Sequence, residues 1–450
     1  MRRHRGDPNK RSRPIAKVTR VSTLERRIGT GQAVGIGLAS MIGAGVFFVW
    51  APAAAAAGGA LLIGLVIAGV VASLNALSTA QLAMAHPVSG GAYAFGRAAI
   101  GPWTGFAAGW LFVWGKTASA AAIALIAGSY LWPEQAKGVA VGVLVVLAAV
   151  NATGIRSTAR VSLAIVTVVG AGLVAVLAAT ALSGAFGAPI VDLGATDAGW
   201  YGVLQSAGLL FFCFAGYARM ATLGEEVRDP QRTLPRAIIT ALAVALVLYA
   251  VVGAFCLSVL GVDGLAASTS PLADLASTAL GGVAWPIVAS VVAAIASLGS
   301  LIGILAGLSR TSLAMAREGD LPGGLSRIST RTHAPVVAEA SVALIAIAAV
   351  VLLDPRELVG FSACAVLGYY AIAHASALRQ PRSERWLPRA VQWTGLAGCV
   401  LLTLTLPWQA IVGTVVVLAI GLITRSLRPG RRARSQRASG GRSARPSASG

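Results

Sequence analysis

The sequence predicts an all-α polytopic membrane protein of twelve transmembrane helices, ten forming a 5+5 inverted repeat and two added at the C-terminal end. Three observations carry that prediction. Of 450 residues, 56% are hydrophobic and only 12% charged, and apolar runs long enough to cross a bilayer recur along nearly the whole chain. With the N-terminus placed inside, all of the 36 Lys+Arg fall on the cytoplasmic side except Lys137 and Arg356 in outer loops and Lys116 and Arg219 within spans, which is the positive-inside pattern of an even number of spans. Finally, the first and sixth spans are both interrupted by glycine at comparable depth, and each opens a block of five. Blocks of odd length face the membrane with opposite polarity, as an inverted repeat requires.

Taken in order, residues 1–29 are basic and proline-containing, and are expected to form a disordered cytoplasmic arm near anionic lipid head groups. The ten spans of the core, 30–378, are expected at residues 30–52, 60–85, 103–131, 136–153, 161–183, 200–225, 235–260, 283–316, 336–353 and 357–378. The glycine-rich segment 86–97 reads as a short link between the second and third spans, and the loops 184–199 and 261–282 carry acidic residues and no cation. Two further spans, 390–406 and 408–424, lie in the segment 379–424, short enough that they could instead form a hairpin that does not fully cross. Residues 425–450 are mostly Arg, Ser, Gly and Ala, a tail without the means to build a core. The basic arm precedes a run without a small-residue cleavage pattern, so no signal peptide is expected.

A net charge of +20 ordinarily raises nucleic acid as a partner, but its confinement to tails and alternate loops assigns it to membrane orientation. A multi-pass protein of the plasma membrane with both termini cytoplasmic is expected. Cys213, Cys256, Cys364 and Cys399 all lie in apolar runs, with no C-x-x-C spacing, so neither a disulfide framework nor a metal or other cofactor is expected.

The stretch Gly35-Ile-Gly-Leu-Ala-Ser-Met-Ile-Gly-Ala-Gly-Val-Phe47 organises the reading. Four glycines inside a membrane span give the helix little reason to continue. An interruption near 40–45 exposes backbone N–H and C=O groups at membrane depth, which is tolerated only beside protein or a watery cavity. A secondary transporter builds its substrate site in this way.

Four motifs then make the chain familiar: Gly35-x-Gly-x-x-Ser-Met-Ile-Gly-Ala-Gly-Val-Phe47; Pro87-x-Ser-Gly-Gly-Ala-Tyr93; Phe214-Ala-Gly-Tyr217 with Gly224-Glu-Glu-Val-Arg-Asp-Pro-Gln-Arg232; and Met315-Ala-Arg-Glu-Gly-Asp-Leu-Pro322. Together, in this order, they resemble the amino acid–polyamine–organocation permeases, of the amino acid permease type, which implies a leucine-transporter-like core. The resemblance implies that the substrate carboxylate meets N–H groups at Gly43, Ala44 and Gly45, within the segment Ser40, Met41, Ile42, and that the ammonium meets carbonyls of Phe214, Ala215 and Gly216. Phe211, Phe212 and Tyr217 would shape or gate the pocket. A half-helix N-terminus suits an anion on physical grounds alone, through unpaired donors and the positive end of a dipole. Against this stands the plainer reading of Gly43 and Gly45 as small residues for close helix packing.

Relatives coupled to protons often carry a lysine in the fifth span; here that run has none, and Lys116 appears in the third. An ionisable group at mid-membrane is costly and is a functional candidate for that reason. Lys116 is read as the coupling proton site, or as a fixed positive charge in place of a sodium ion, against a structural lysine that snorkels. Arg219 either binds an acidic group of the substrate in an inward vestibule or pairs with Glu225 or Glu226 as part of a gate. Ser297 and Ser300 offer hydroxyls to an ion or ammonium, unless they bond their own helix. Glu225, Glu226, Arg228, Asp229, Arg317, Glu318 and Asp320 are read as cytoplasmic gate pairs. No span holds a carboxylate beyond its first or last turn, so a cationic substrate lacks a mid-membrane counter-ion and a neutral amino acid fits better.

An enzyme is disfavoured because the histidines at 4, 86, 333 and 374 form no catalytic cluster. A channel is disfavoured because two unlike broken helices are not a symmetric ring. A proton-coupled carrier of neutral amino acids is the favoured reading; an uncoupled amino acid or amine exchanger and a nutrient sensor on a transporter fold remain the alternatives.

Overall fold

The computed structural model describes residues 28–85, 91–153, 159–189, 199–217, 227–332 and 334–427. Among them every regular element is helical, apart from one isolated parallel bridge between Ile28 and Val227. The helices are α1 (Thr30–Met41), α2 (Gly45–Phe48), α3 (Trp50–Ala57), α4 (Leu61–Ala85), α5 (Ala92–Ala99), α6 (Pro102–Leu131), α7 (Ala136–Ala152), α8 (Ala159–Ser183) and α9 (Gly199–Phe214). They continue as α10 (Pro230–Ala267), α11 (Pro271–Leu280), α12 (Ala284–Arg317), α13 (Val336–Leu352), α14 (Pro355–Leu378), α15 (Arg389–Thr405) and α16 (Trp408–Ser426).

Proline opens α6, α10, α11 and α14, where its missing N–H is one the helix end leaves unpaired anyway. Among the described residues, nine helical stretches are long and apolar enough to span a bilayer, and α13 is a shorter apolar helix. The chain is thus an all-helical polytopic membrane protein.

The helices sort into an inner and an outer set. α6, α14 and α9 bury most of their surface, whereas α7, α8 and α16 turn most of theirs outward. α6 packs on α14 and α12, α4 on α9 and α10, and α1 on α10. Small residues permit the close approaches: a Cβ at Gly115 of α6 would lie 2.8 Å from Ala365 Cβ of α14. Outward positions of the outer set carry bare Val146, Val174, Val415 and Ile420, as a surface solvated by lipid chains requires.

Several boundaries differ from expectation. The link between the second and third spans contains α5, and the acidic loop before the eighth contains α11. The seventh helix runs past its expected ends, from 230 to 267, bending at Gly261, whose φ of 68° is open to glycine. Ile28, assigned by sequence to the arm, instead pairs with Val227. Arg425, assigned to the tail, lies in the last turn of α16.

Candidate functional site

The first span is interrupted where the glycines cluster. α1 ends at Met41, Ile42 leaves helical geometry with ψ 76°, and the helix restarts at Gly45. Across the gap, Ile42 N–H donates to Leu38 O at 2.7 Å and Gly43 N–H to Met41 O at 2.8 Å. Ala44 is the N-cap of the new turn and offers no side-chain hydrogen bond, so the first donors of α2 have no capping oxygen. Val49 joins α2 and α3 into one rod, its N–H donating to Gly45 O while Ala53 N–H donates to Val49 O. The hydroxyl of Ser40 is taken up by Ile36 O, 2.9 Å away on its own helix.

In the sixth span, α9 ends at Phe214 and tightens into a single 3-10 turn over Ala215–Tyr217. Arg219, Glu225 and Glu226 lie outside the described residues. The break in the first span and the end of α9 touch. A Cβ on Gly216 would collide with the Ser40 carbonyl and stand 2.8 Å from Met41 N; one on Gly45 would stand 3.1 Å from Cys213 Sγ and 3.2 Å from Phe212 Cδ1. A Cβ on Gly43 would collide with the hydroxyl of Ser300 on α12. Only glycine at these points lets the two backbones come so close.

A residue that sequence reasoning passed over joins the two halves. Tyr249 of α10 donates its hydroxyl to Met41 O at 2.7 Å and lies 3.3 Å from Cys213 O, so a single hydroxyl bridges the carbonyl ends of α1 and α9. A lone tyrosine in an apolar run carries one signal only: a buried phenol needs a partner.

Lys116 of α6 reaches the same place, donating from Nζ to Ala215 O at 3.4 Å. Among the described residues no carboxylate pairs with it. Ser297 donates to Ala293 O at 2.7 Å within its own helix, and Ser300, one turn on, is the hydroxyl that faces Gly43. The aromatics are buried and interlocked. Phe211 meets Tyr370 edge-on at 6.1 Å, Phe214 meets Tyr249 at 5.2 Å, and Tyr217 lies against Tyr370 at 5.2 Å. Phe212 lies against Gly45.

A second polar cluster sits where α5, α12 and α16 end. Asp320, only 6% exposed, accepts hydrogen bonds from Arg97 Nη1 at 3.0 Å and the Tyr93 hydroxyl at 2.9 Å and forms an ion pair with Arg425, Nη1 at 2.8 Å. The Arg425 guanidinium also covers the rings of Trp103 and Phe106, 4.9 and 4.7 Å from their centres. Burial first, and then the Asp320 charge, push the Tyr93 hydroxyl well above the usual phenol range, keeping it a donor. Of the other expected gate residues, Glu318 pairs with Arg97 at 3.2 Å and exposed Asp229 with Arg232 at 3.8 Å. Arg228 uses its backbone N–H on Ile28 O. Arg97 and Arg425 were not among the expected residues; each lay in a segment read as link or tail. Among the described residues no group of His, Cys, Asp and Glu is arranged to hold a metal ion.

The family model described as amino acid permease matches residues 28–425. An uncharacterized transporter of Mycobacterium tuberculosis is 49% identical over 406 residues, covering 90% of this chain and 92% of the relative. The branched-chain amino acid permease BcaP of Bacillus subtilis is 26% identical over 91% of this chain and 94% of its own. The vacuolar cationic amino acid transporter 4 of Arabidopsis thaliana is 29% identical over 74% of this chain and 60% of its own. The chain therefore belongs to the amino acid permease family of the amino acid–polyamine–organocation superfamily: it is a membrane-embedded transporter of amino acids, not an enzyme.

Proposed function

We propose that this protein carries a neutral amino acid across the plasma membrane together with a proton, by alternating access around the broken first and sixth spans. Its twelve spans comprise a 5+5 inverted repeat and two C-terminal helices, with both termini cytoplasmic. The substrate carboxylate sits at the N–H groups of Ala44 and Gly45; Gly43 N–H already serves Met41 O. The ammonium sits at the carbonyl end of α9, Phe214–Gly216, with Ser40, Met41, Ile42, Phe211 and Tyr217 completing the wall. Asp320 with Arg97 and Arg425 closes the cytoplasmic side, in concert with Arg219, Glu225 and Glu226.

The observation that carries this reading is the Lys116 ammonium on Ala215 O, beside the point where Ser40 and Gly216 meet. Protonated, Lys116 holds the end of α9 against α1; without its proton the hold weakens, so the position of the sixth span reports the charge on Lys116. The Lys116 ammonium already stands at Ala215 O beside the place of the substrate ammonium, and a cationic side chain would add a third positive charge in a medium of low dielectric. This supports a neutral substrate, in line with the branched-chain permease among the relatives.

The test is uptake into proteoliposomes by wild type, Lys116→Ala and Lys116→Gln, with and without an inward proton gradient. Wild-type uptake is expected to rise with the gradient and that of the variants to ignore it. Variants that keep the wild-type pH dependence would refute the role of Lys116. A thermal-shift screen against the twenty amino acids identifies the ligand, which stabilises by mass action. Stabilisation by lysine and arginine alone would refute neutrality.

A further inference from the structure

Between α4, α14 and α15 runs a line of polar side chains that, beyond Tyr217 at its head, the site above does not use. It starts at Tyr217, whose hydroxyl faces Asn75 of α4 and Tyr370 of α14. Asn75 Oδ1 is 2.7 Å from His374 Nε2 and accepts from Cys399 Sγ at 3.1 Å. His374 lies flat on Gly395 of α15, where a Cβ would stand 2.8 Å from Nδ1. Further along, Gln81 Nε2 donates to Gln380 Oε1 at 2.7 Å, and Leu387 N–H donates to Gln81 Oε1 at 3.0 Å. Asn75, Ser78 and Gln81 share one face of α4, as Gln392, Gly395 and Cys399 share one of α15. Both rows face the same seam.

The seam is buried yet incompletely bonded. Ser78 Oγ, His374 Nδ1, Gln380 Nε2 and both side-chain polar atoms of Gln392 make no hydrogen bond, although Ser78, His374 and Gln392 are fully buried. Unpaired polar groups in the hydrocarbon layer are tolerated where ordered water meets them. No structural purpose demands so many at one helix interface, since apolar side chains of similar size would pack there at less cost.

We infer that this seam is a hydrated proton path from the sixth-span break to the cytoplasmic face, with His374 as the group on it that binds the proton. The inference rests on the proton-coupled reading above. With Nε2–H donating to Asn75 Oδ1, Nδ1 is the free base: an N–H bond forms there as a seam water's hydronium loses its proton, and the step reverses toward Gln392 and Leu387. No electrons change hands. His374 shares the acceptor Asn75 Oδ1 with the Cys399 thiol of α15, Tyr370 stands one turn back on α14, α4 contributes only Asn75, and among the described residues no charged side chain acts on His374.

The test uses the full chain in proteoliposomes, with His374→Gln, which removes titration, and Gln392→Leu, which dries the seam. Gradient-driven uptake is expected to fall about a hundredfold in both, the lower end of what a positioned proton-transfer group contributes. Exchange of labelled for unlabelled substrate, which needs no net proton movement, is expected to persist and shows that the variants are folded. A gradient-sensitive wild type with both variants equally sensitive overturns the seam and leaves the role of Lys116 standing. A wild type that ignores the gradient overturns both.

Discussion

Gly216→Ala is the sharpest perturbation of the contact between the broken first span and the end of α9. The new methyl would collide with the Ser40 carbonyl and stand 2.8 Å from Met41 N, where ordinary contact begins at 3.4 Å. The shortfall is 0.6 Å at Met41 and larger at Ser40, and neither neighbour is a flexible side chain that could swing away. α1 and the end of α9 must part, and Tyr249 then reaches only one of its two carbonyls. Overpacking of this kind costs about 1–3 kcal/mol, which a protein of this size survives folded. Function should suffer more, because a misplacement of about 1 Å between groups that must act together costs about a hundredfold. We therefore expect reconstituted Gly216→Ala to lose substrate uptake about a hundredfold while its melting temperature falls by only a few degrees. Gly142→Ala is the control: a Cβ there meets nothing within 4 Å, and uptake should not change. A folded Gly216→Ala that transports at the wild-type rate would refute the reasoning.

Two further outcomes follow from the same geometry. Tyr249→Phe leaves the carbonyls of Met41 and Cys213 without their shared donor; it should destabilise by about 1–3 kcal/mol and raise the KM for uptake, and a variant with wild-type melting and KM would contradict the bridging role. Asp320→Ala leaves Arg425 beside a buried void without its carboxylate, while Arg97 keeps Glu318, with an expected cost of about 3–5 kcal/mol read by thermal denaturation. Glu318→Gln, at an exposed partner of Arg97, should cost no more than about 1 kcal/mol, so equal losses at the two positions would contradict the buried clasp.

The interruption over 42–44 was legible because glycine is a local signal: Gly43 and Gly45 weaken the helix whatever surrounds them. The end of α9 at Phe214 was legible through resemblance, and Lys116 through the rarity of a charge in an apolar run. What escaped was set by distance in sequence. Tyr249 gains its role from carbonyls on two other helices, and Asp320, read as a gate residue, finds its partners in Arg97 and Arg425, far apart along the chain. α5 was hidden because Gly90 and Gly91 announce a turn, while the amphipathic eight residues after them are too few to show a clear period. The seam was overlooked for a similar reason: Asn75, His374 and Gln392 are each a single polar residue in an apolar helix, and only the packing of α4, α14 and α15 aligns them.

The central claim is that the substrate lies between the two helix breaks. The most direct measurement is an experimental structure with a transported amino acid bound. The account predicts its carboxylate within hydrogen-bond distance of the Ala44 and Gly45 N–H groups and its ammonium at the carbonyls of Phe214–Gly216. Density for the amino acid elsewhere, with Ser40 and Gly216 still in contact and no ligand between the breaks, would contradict it.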